Sequence, residues 1–298
     1  MATKILNTNS ITITKLHTHV GAEICGVDLS HPLDTETLFV IKQAWVENSL
    51  LLFRNQKITE DHQLDFASHF GPIATRVTPP PGTKRPAGPD WTNIMLITDL
   101  KDAKGNALGS LGHGDMWFHS DKCYRPKPHR VSFLYGIEIP KEGGHTKFAS
   151  LYAAYEAMNP GLKKRLANAF VMQGYDYGNT RRVNQDVNLE DILHYRQPMI
   201  VENPDSGRKA LYIARLNTMW IEGMERRESE EILGPLFDLT EQKAHYYEHV
   251  WQPGDLVMWD NLACLHARTN WPDNQTRLLR RCTVEGERLW EEEIANTN

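Results

Sequence analysis

Hydrophobic and polar positions in the first part of the chain predict short strands and two helices. Residues 11–30, ITITKLHTHVGAEICGVDLS, mix alternation with glycine and indicate short strands. In residues 34–48, DTETLFVIKQAWVEN, apolar side chains recur at helical spacing after an Asp/Thr cap. The run LLLF within residues 50–56 predicts a strand. Thr59 is the expected N-cap of a second helix, which Gly71 should end.

The rest of the chain carries more strand pattern than helix pattern. Strands are predicted in residues 129–140, 143–150, 254–268 and 278–287, and a hairpin with a Pro-Asp-Ser-Gly turn in residues 199–216. Helices are predicted in residues 151–170, with a break at Pro160, and in residues 229–239 and 240–250. There is no βαβ alternation and no G-x-G-x-x-G motif, which disfavours a doubly wound nucleotide fold. The sequence predicts a mainly β fold with flanking helices and a double-stranded β-helix core, the cupin-like jelly roll.

Two polar, aperiodic segments interrupt this pattern. Residues 72–91 contain PPPGTKRPAGPDW, which no regular element tolerates. Residues 174–197 are polar, rich in aromatic residues and without a period. Loops of this length are frequently functional. We therefore expect a single domain over residues 1–298, with lid-like insertions near residues 72–91 and 174–197.

Composition narrows the class of protein. A hydrophobic fraction of 40%, a charged fraction of 24% and a net charge of -5 are typical of a globular protein without a nucleic-acid partner. The first residues lack a secretory signal, and no apolar run is long enough to span a membrane, so a cytoplasmic protein is expected. The four cysteines are scattered with no C-x-x-C pair, which indicates neither a zinc cluster nor a disulfide framework.

A short motif in residues 114–126, GDMWFHSDKCYRP, introduces candidate chemistry. His119 and Asp121 stand two positions apart in a segment of extended pattern, so both side chains would project from one face of a strand. A polar surface strand is the ordinary alternative for a bare H-x-D pair. With His266, at the end of an apolar strand, the pair has the composition of a 2-His-1-carboxylate triad, which holds Fe(II) and leaves three coordination positions open.

Arginines follow the distal histidine. Arg277 and Arg281 lie 11 and 15 positions after His266, and with Leu279 they would share one face of an extended strand. No acidic residue lies between them on that strand to neutralise them. Two guanidinium groups aimed into one cavity indicate anionic ligands held by bidentate pairs.

At these residues the chain resembles the taurine and 2,4-dichlorophenoxyacetate dioxygenases, which use Fe(II) and 2-oxoglutarate with O2. The resemblance covers nearly the whole length, through FHSD, GGHTKF, NPDSGRKALYI and WDNLACLHA to the final arginines. It implies that His119, Asp121 and His266 are the iron ligands. It also implies hydroxylation of a small organic substrate with release of succinate and CO2, and a homo-oligomer, dimer or tetramer.

The resemblance assigns further residues by their spacing. Thr146, 27 positions after the first histidine, and Arg277 match the residues that bind the distal carboxylate of 2-oxoglutarate. Arg281 matches an arginine near the co-substrate and the acidic head of the substrate. Arg76 replaces a substrate-binding histidine, and Asp115 replaces an amide. Arg76, Asp115 and Arg281 are therefore candidate substrate residues.

Three interpretations stay open at this stage. The first is a dioxygenase that hydroxylates, or oxidatively cleaves, a small anion such as a sulfonate, carboxylate or aryloxyalkanoate. The second is the same iron chemistry used for desaturation or tailoring of a secondary metabolite. The third is a non-catalytic barrel that binds a metabolite. An intact triad with paired arginines argues against the third, because a pure binding protein has no need of an open iron face.

Overall fold

The computed structural model describes residues 11–75, 93–110, 112–176 and 179–291. In chain order its strands are β1 Thr12–Lys15, β2 Ala22–Cys25, β3 Leu50–Phe53, β4 Met95–Ile97, β5 Met116–His119, β6 His129–Glu138, β7 Thr146–Ser150, β8 Phe170–Tyr175, β9 Leu193–Pro198, β10 Ile200–Glu202, β11 Lys209–Leu211, β12 Thr218–Ile221, β13 Tyr246–His249, β14 Leu256–Asp260, β15 Cys264–Arg268 and β16 Leu278–Glu285. The helices are α1 Thr35–Asn48, α2 Glu60–Ser68, α3 Leu151–Ala157, α4 Pro160–Leu166 and α5 Arg226–Thr240. The fold is mainly β, as the sequence predicts.

Two sheets dominate the described residues. One has seven strands in the order β1-β2-β3-β14-β6-β16-β4, and the other has four in the order β13-β7-β15-β5. A three-stranded sheet, β12-β8-β9, and the hairpin β10-β11 complete the set. The two large sheets face each other, because Phe148 on β7 contacts Trp259 on β14 with ring centroids 5.2 Å apart.

Alternation along the central strands of the seven-stranded sheet separates two hydrophobic layers. On β14, Val257 and Trp259 pack in the layer towards the four-stranded sheet, whereas Leu256 and Met258 pack in the layer with α1 and α2. This follows from the period of two residues in a strand. Apolar side chains are therefore needed on both faces, and the strand reads as an unbroken apolar run.

The same alternation divides two neighbouring arginines of β16. Arg280 lies on the outer face, where its guanidinium donates to Gln63 Oε1 and to the carbonyls of Ile58 and Thr59 around the start of α2. Arg281 lies on the inner face, towards the four-stranded sheet. Arg280 therefore anchors α2, and Arg281 points into the space between the two large sheets.

Local signals explain most helix boundaries. Asp34 caps α1 by accepting from the Thr37 amide, and Asn48 ends the helix, followed by the C-cap Ser49 in a left-handed conformation with φ 62°. Thr59 is the N-cap of α2, as predicted, and the structure shows that it forms a capping box with His62. The break at Pro160 and the hairpin β10-β11 are confirmed as well.

Three expectations need correction or fall outside the structure. The helix predicted over residues 240–250 is wrong, because its second half forms β13, which pairs antiparallel with β7. Sheet pairing and the strand preference of adjacent tyrosines override the helical spacing there. In the segment 174–197, the last residues form β9, paired with β8. Arg76 and most of the segment 72–91 lie outside the described residues. Within the described ranges, no helix has the length and apolar character needed to cross a membrane.

Candidate metal and co-substrate site

Strand pairing brings two histidines together. His119 ends β5 and stands opposite His266 on β15, with ring centroids 3.9 Å apart. Asp121 follows in the turn after β5, and not on the strand as the sequence suggested. One ligand atom from each of the three residues lies within 4.8 Å of the others. The structure therefore assembles the three residues that the sequence nominated.

Both imidazoles are suited to bind a metal as neutral ligands. His119 Nδ1 lies 2.9 Å from the carbonyl of Trp117, which only accepts, so Nδ1 carries the proton and the Nε2 lone pair is available. Burial lowers the pKa of His119, and it lowers the pKa of His266 well below the usual value, with a further lowering of the latter by His119. Unprotonated imidazole is the form that ligates metals.

The carboxylate of Asp121 is kept ionised. Burial acts to raise its pKa, but Arg281 and then His266 outweigh burial, and the pKa lies well below its ordinary value. Arg281 Nη2 contacts Asp121 Oδ2 at 2.5 Å, and Asp121 Oδ1 lies 3.8 Å from His266 Nε2. Two neutral imidazoles and one carboxylate form the donor set of a non-haem Fe(II) centre with open positions, so these residues fit such an ion.

A second group of residues on the same sheet face is suited to bind an anion. In the pairing of β7 with β15, Phe148 stands opposite His266, and Thr146, two residues earlier, stands opposite Arg268. Paired and next-but-one residues share a face of a sheet. Thr146 is therefore on the side of the sheet that carries the metal ligands, two residues along β7 from the position opposite His266.

Arg277 lies immediately before β16, and a register shift separates it from Arg281. Its side chain is 1% exposed, and its Nε donates to the Gly144 carbonyl at 2.9 Å. Its guanidinium lies 5.4 Å from the Trp271 ring centroid. Burial, followed by the charge of Arg268, lowers the pKa of Arg277 to about 9. No acidic side chain of the described residues pairs with it. A bound carboxylate would therefore offset the cost of burying this charge.

The turn before β7 explains the GGHT motif. Gly143 and Gly144 have φ values of 69° and 65°, which favour glycine. A Cβ on Gly143 would lie 2.2 Å from the Asn270 carbonyl, and one on Gly144 would lie 3.0 Å from Arg277 Cδ. Two consecutive glycines therefore let the turn approach Arg277 closely and orient its guanidinium.

The other candidate substrate residues have structural partners. Asp115 is exposed and accepts from the Asn270 amide at 2.8 Å, which ties β5 to the loop after β15. Arg281 contacts Asp121, as described above. Sequence reasoning missed Arg268, a buried residue two positions after His266 whose Nε and Nη2 donate to the Gly114 carbonyl. Its spacing from His266 on a strand was the available signal.

Comparisons with known proteins agree with this geometry. The family described as taurine catabolism dioxygenase TauD, TfdA family, matches residues 12–283. Pentalenolactone F synthase of Streptomyces avermitilis is 32% identical over 280 residues, covering 88% of this chain and 90% of that protein. (S)-phenoxypropionate/alpha-ketoglutarate-dioxygenase of Sphingobium herbicidovorans is 30% identical, covering 95% and 98%. The crystal structure of AAD-2 in complex with Mn(II) and N-oxalylglycine superposes with a TM-score of 0.72 at 26% identity, covering 94% and 100%.

The protein is thus an enzyme of the 2-oxoglutarate-dependent dioxygenase class, with Fe(II) as cofactor, 2-oxoglutarate as co-substrate and O2 as oxidant. Within that class, the chain belongs to the TauD/TfdA family.

Proposed function

We propose that His119, Asp121 and His266 hold Fe(II), and that Arg277 and Thr146 hold the distal carboxylate of 2-oxoglutarate. The observation that carries this proposal is the buried guanidinium of Arg277, which has no acidic partner in the described residues. It lies against the Gly144 turn that leads into β7, and β7 pairs with the strand that carries His266. When bound, iron with 2-oxoglutarate and O2 supplies the oxidant that hydroxylates a C–H bond, with release of succinate and CO2.

The protein's own residues orient the co-substrate. The Nε of Arg277 is occupied by Gly144, so its two terminal nitrogens remain for a bidentate pair with the carboxylate. The Thr146 hydroxyl accepts from Trp251 Nε1 at 2.9 Å, which leaves its own proton free to be donated to the same carboxylate. Fixing the far end of a flexible dicarboxylate limits the positions that its keto-acid end can take.

We assign the substrate to the small organic anions, with aryloxyalkanoates first. The name of the Sphingobium relative, a phenoxypropionate dioxygenase, supports this class. Arg281 contacts Asp121, so one role of its guanidinium is to hold this metal ligand in place. Binding the acidic head group of the substrate is a second role, which the same guanidinium would share or give up. Tailoring of a secondary metabolite is the second candidate, and the relative named pentalenolactone F synthase favours it.

The proposal extends to the architecture. The two facing sheets support a double-stranded β-helix in a single catalytic domain over residues 1–298. Assembly into a dimer or tetramer, and a cytoplasmic location, are part of the same proposal.

The test is an anaerobic titration of the purified protein with Fe(II) and 2-oxoglutarate, followed by the weak visible charge-transfer band of an iron-bound keto acid. We expect the band in the wild type and its loss or strong weakening in His119→Ala and Arg277→Ala. Its absence from a wild type with iron demonstrably bound would contradict the proposal. Succinate release with aryloxyalkanoates, sulfonates and alkyl sulfates, compared with release with lactones, then separates the two substrate candidates.

A further inference from the structure

The carboxylate of Asp121 has two oxygens with different surroundings. Oδ2 accepts from Arg281 Nη2 and lies 2.5 Å from Ser132 Oγ on β6. Oδ1 is the oxygen nearer to His266, at 3.8 Å from its Nε2. Ser132 is fully buried, and neither the sequence motifs nor the family spacing singles it out.

A chain of buried hydrogen bonds fixes the direction of the Ser132 proton. The indole of Trp259 can only donate, and its Nε1 lies 3.0 Å from Asn261 Oδ1. The amide of Asn261 is therefore oriented with Nδ2 towards Ser132, to whose Oγ it donates at 2.9 Å. Because that bond occupies a lone pair of the Ser132 oxygen, the hydroxyl hydrogen points to Asp121 Oδ2.

The hydrogen-bond chain rests on rigid elements. Ser132 stands opposite Trp259 of β14 and Thr283 of β16, in the middle of the seven-stranded sheet. A serine side chain there has one χ angle, whereas Arg281 reaches Asp121 through a long and flexible chain. Ser132 is therefore the more rigid of the two groups that contact Oδ2.

We propose that Ser132 is a positioning residue that presents Asp121 to the metal through Oδ1 alone. The inference rests on the proposed iron site. A six-coordinate ion with three protein ligand atoms keeps three positions, two for 2-oxoglutarate and one for O2. A carboxylate bound through both oxygens would occupy one of the three. With Oδ2 held by two donors, Asp121 contributes a single oxygen, and the open face is preserved.

The experiment measures metal binding and does not require turnover. Co(II) is titrated anaerobically into wild type, Ser132→Ala and Ser132→Thr, with dissociation constants from equilibrium dialysis and the coordination-sensitive visible spectrum at saturation. Ser229→Ala is the matched control, since Ser229 is also buried but donates no bond to the site and bonds the Ile221 amide. Thermal unfolding of each apoprotein checks that the variants fold.

We expect Ser132→Ala to bind Co(II) about 10- to 100-fold more weakly, the usual effect of losing an outer hydrogen bond to a metal ligand. Its visible spectrum should also change at saturation. Ser132→Thr, which keeps the hydroxyl, and Ser229→Ala should match the wild type. If the serine variants do not fold, Trp259→Phe interrupts the same chain at its first donor, and a loss of affinity in the same direction is expected.

Two results would overturn the inference in distinguishable ways. If His119→Ala abolishes Co(II) binding but Ser132→Ala keeps the wild-type affinity within twofold and the wild-type spectrum, the iron site stands and the role of Ser132 is refuted. Wild-type binding and spectrum in Trp259→Phe would refute it likewise where the serine variants do not fold. If His119→Ala leaves Co(II) binding unchanged, the metal site itself is wrong and both proposals fail.

Discussion

Replacement of Arg277 by methionine should make the apoprotein more stable and the co-substrate complex weaker. Burial is the main cause that lowers the pKa of Arg277 from its ordinary value to about 9. At about 1.4 kcal/mol for each pKa unit, this lowering corresponds to about 5 kcal/mol of unfavourable burial of the charge. The hydrogen bond to Gly144 and the contact with Trp271 offset about 1 kcal/mol and about 1–2 kcal/mol. Methionine fills similar space without a charge, so we expect the free energy of unfolding to rise by about 2 kcal/mol.

The same substitution removes the proposed bidentate partner of 2-oxoglutarate. A hydrogen bond to a charged group contributes about 1.5–3 kcal/mol, and two parallel bonds are lost. At 1.4 kcal/mol per tenfold change, the dissociation constant of 2-oxoglutarate should rise between about 100- and 10,000-fold. Burial of an unpaired cation in the apoprotein is thus the physical origin of affinity for an anion.

The assay is urea unfolding of wild type and Arg277→Met, first as apoprotein and then with Mn(II) and excess 2-oxoglutarate. Bound ligand at free concentration L stabilises the folded state by RT ln(1 + L/Kd), so the increase that 2-oxoglutarate adds to that of Mn(II) alone should almost disappear in the variant at ligand concentrations below its raised dissociation constant. Arg280→Met is the control: its guanidinium has three oxygen acceptors around α2, so its loss should destabilise the protein and leave 2-oxoglutarate affinity unchanged. An Arg277→Met apoprotein less stable than wild type, or one that keeps the full ligand-dependent increase, would refute the reasoning.

Two further predictions concern neighbours of the site. Trp251→Phe removes the donor that orients the Thr146 hydroxyl. The dissociation constant of 2-oxoglutarate should therefore rise about fivefold, the equivalent of one hydrogen bond of about 1 kcal/mol. An anaerobic titration measures this constant, and an unchanged value would mean that other contacts orient Thr146. His249 has a pKa lowered by burial, against the opposing effect of Asp255. Because the unfolded chain takes up this proton more readily, stability should fall as pH decreases through 6.5, by at most about 1.4 kcal/mol per pH unit. In urea unfolding between pH 7 and 5, the free energy of unfolding of His249→Gln should fall less steeply with decreasing pH than that of the wild type. An equal slope in the two proteins would contradict the assignment to His249.

Local signals in the sequence were sufficient for most elements and insufficient for long-range contacts. The N-cap Thr59 of α2 and the break at Pro160 act within a few residues, and their patterns identified them correctly. The strand β13 was predicted as a helix, because its pairing with β7 joins segments about a hundred residues apart. The local sequence pattern of residues 240–250 contains no information on a pairing partner so distant in the chain.

The candidate site shows the same division. His119 and His266 are far apart in sequence, and only the family spacing related them before the pairing of β5 with β15 placed them opposite each other. Ser132 and Trp251 have no signal of their own in the sequence, since each acts through one hydrogen bond to a residue on another strand or turn. Arg277 was expected on the strand beside Arg281, but β16 begins one residue later, with a register shift.

The division of Arg280 and Arg281 between opposite faces of β16 has a consequence for folding fidelity. In a slip of β16 by one residue, Arg280 could take the place of Arg281, and an arginine would still face Asp121. The contacts of Asp121 would then hardly distinguish the correct pairing from the shifted one. Discrimination must come from the neighbours, because the slip would move Leu279 towards the oxygen acceptors around α2 and an arginine into the apolar position of Cys282. Substitutions at Leu279 or Cys282 would therefore lower the yield of correctly folded enzyme while every residue proposed to bind the metal or the co-substrate remained unchanged.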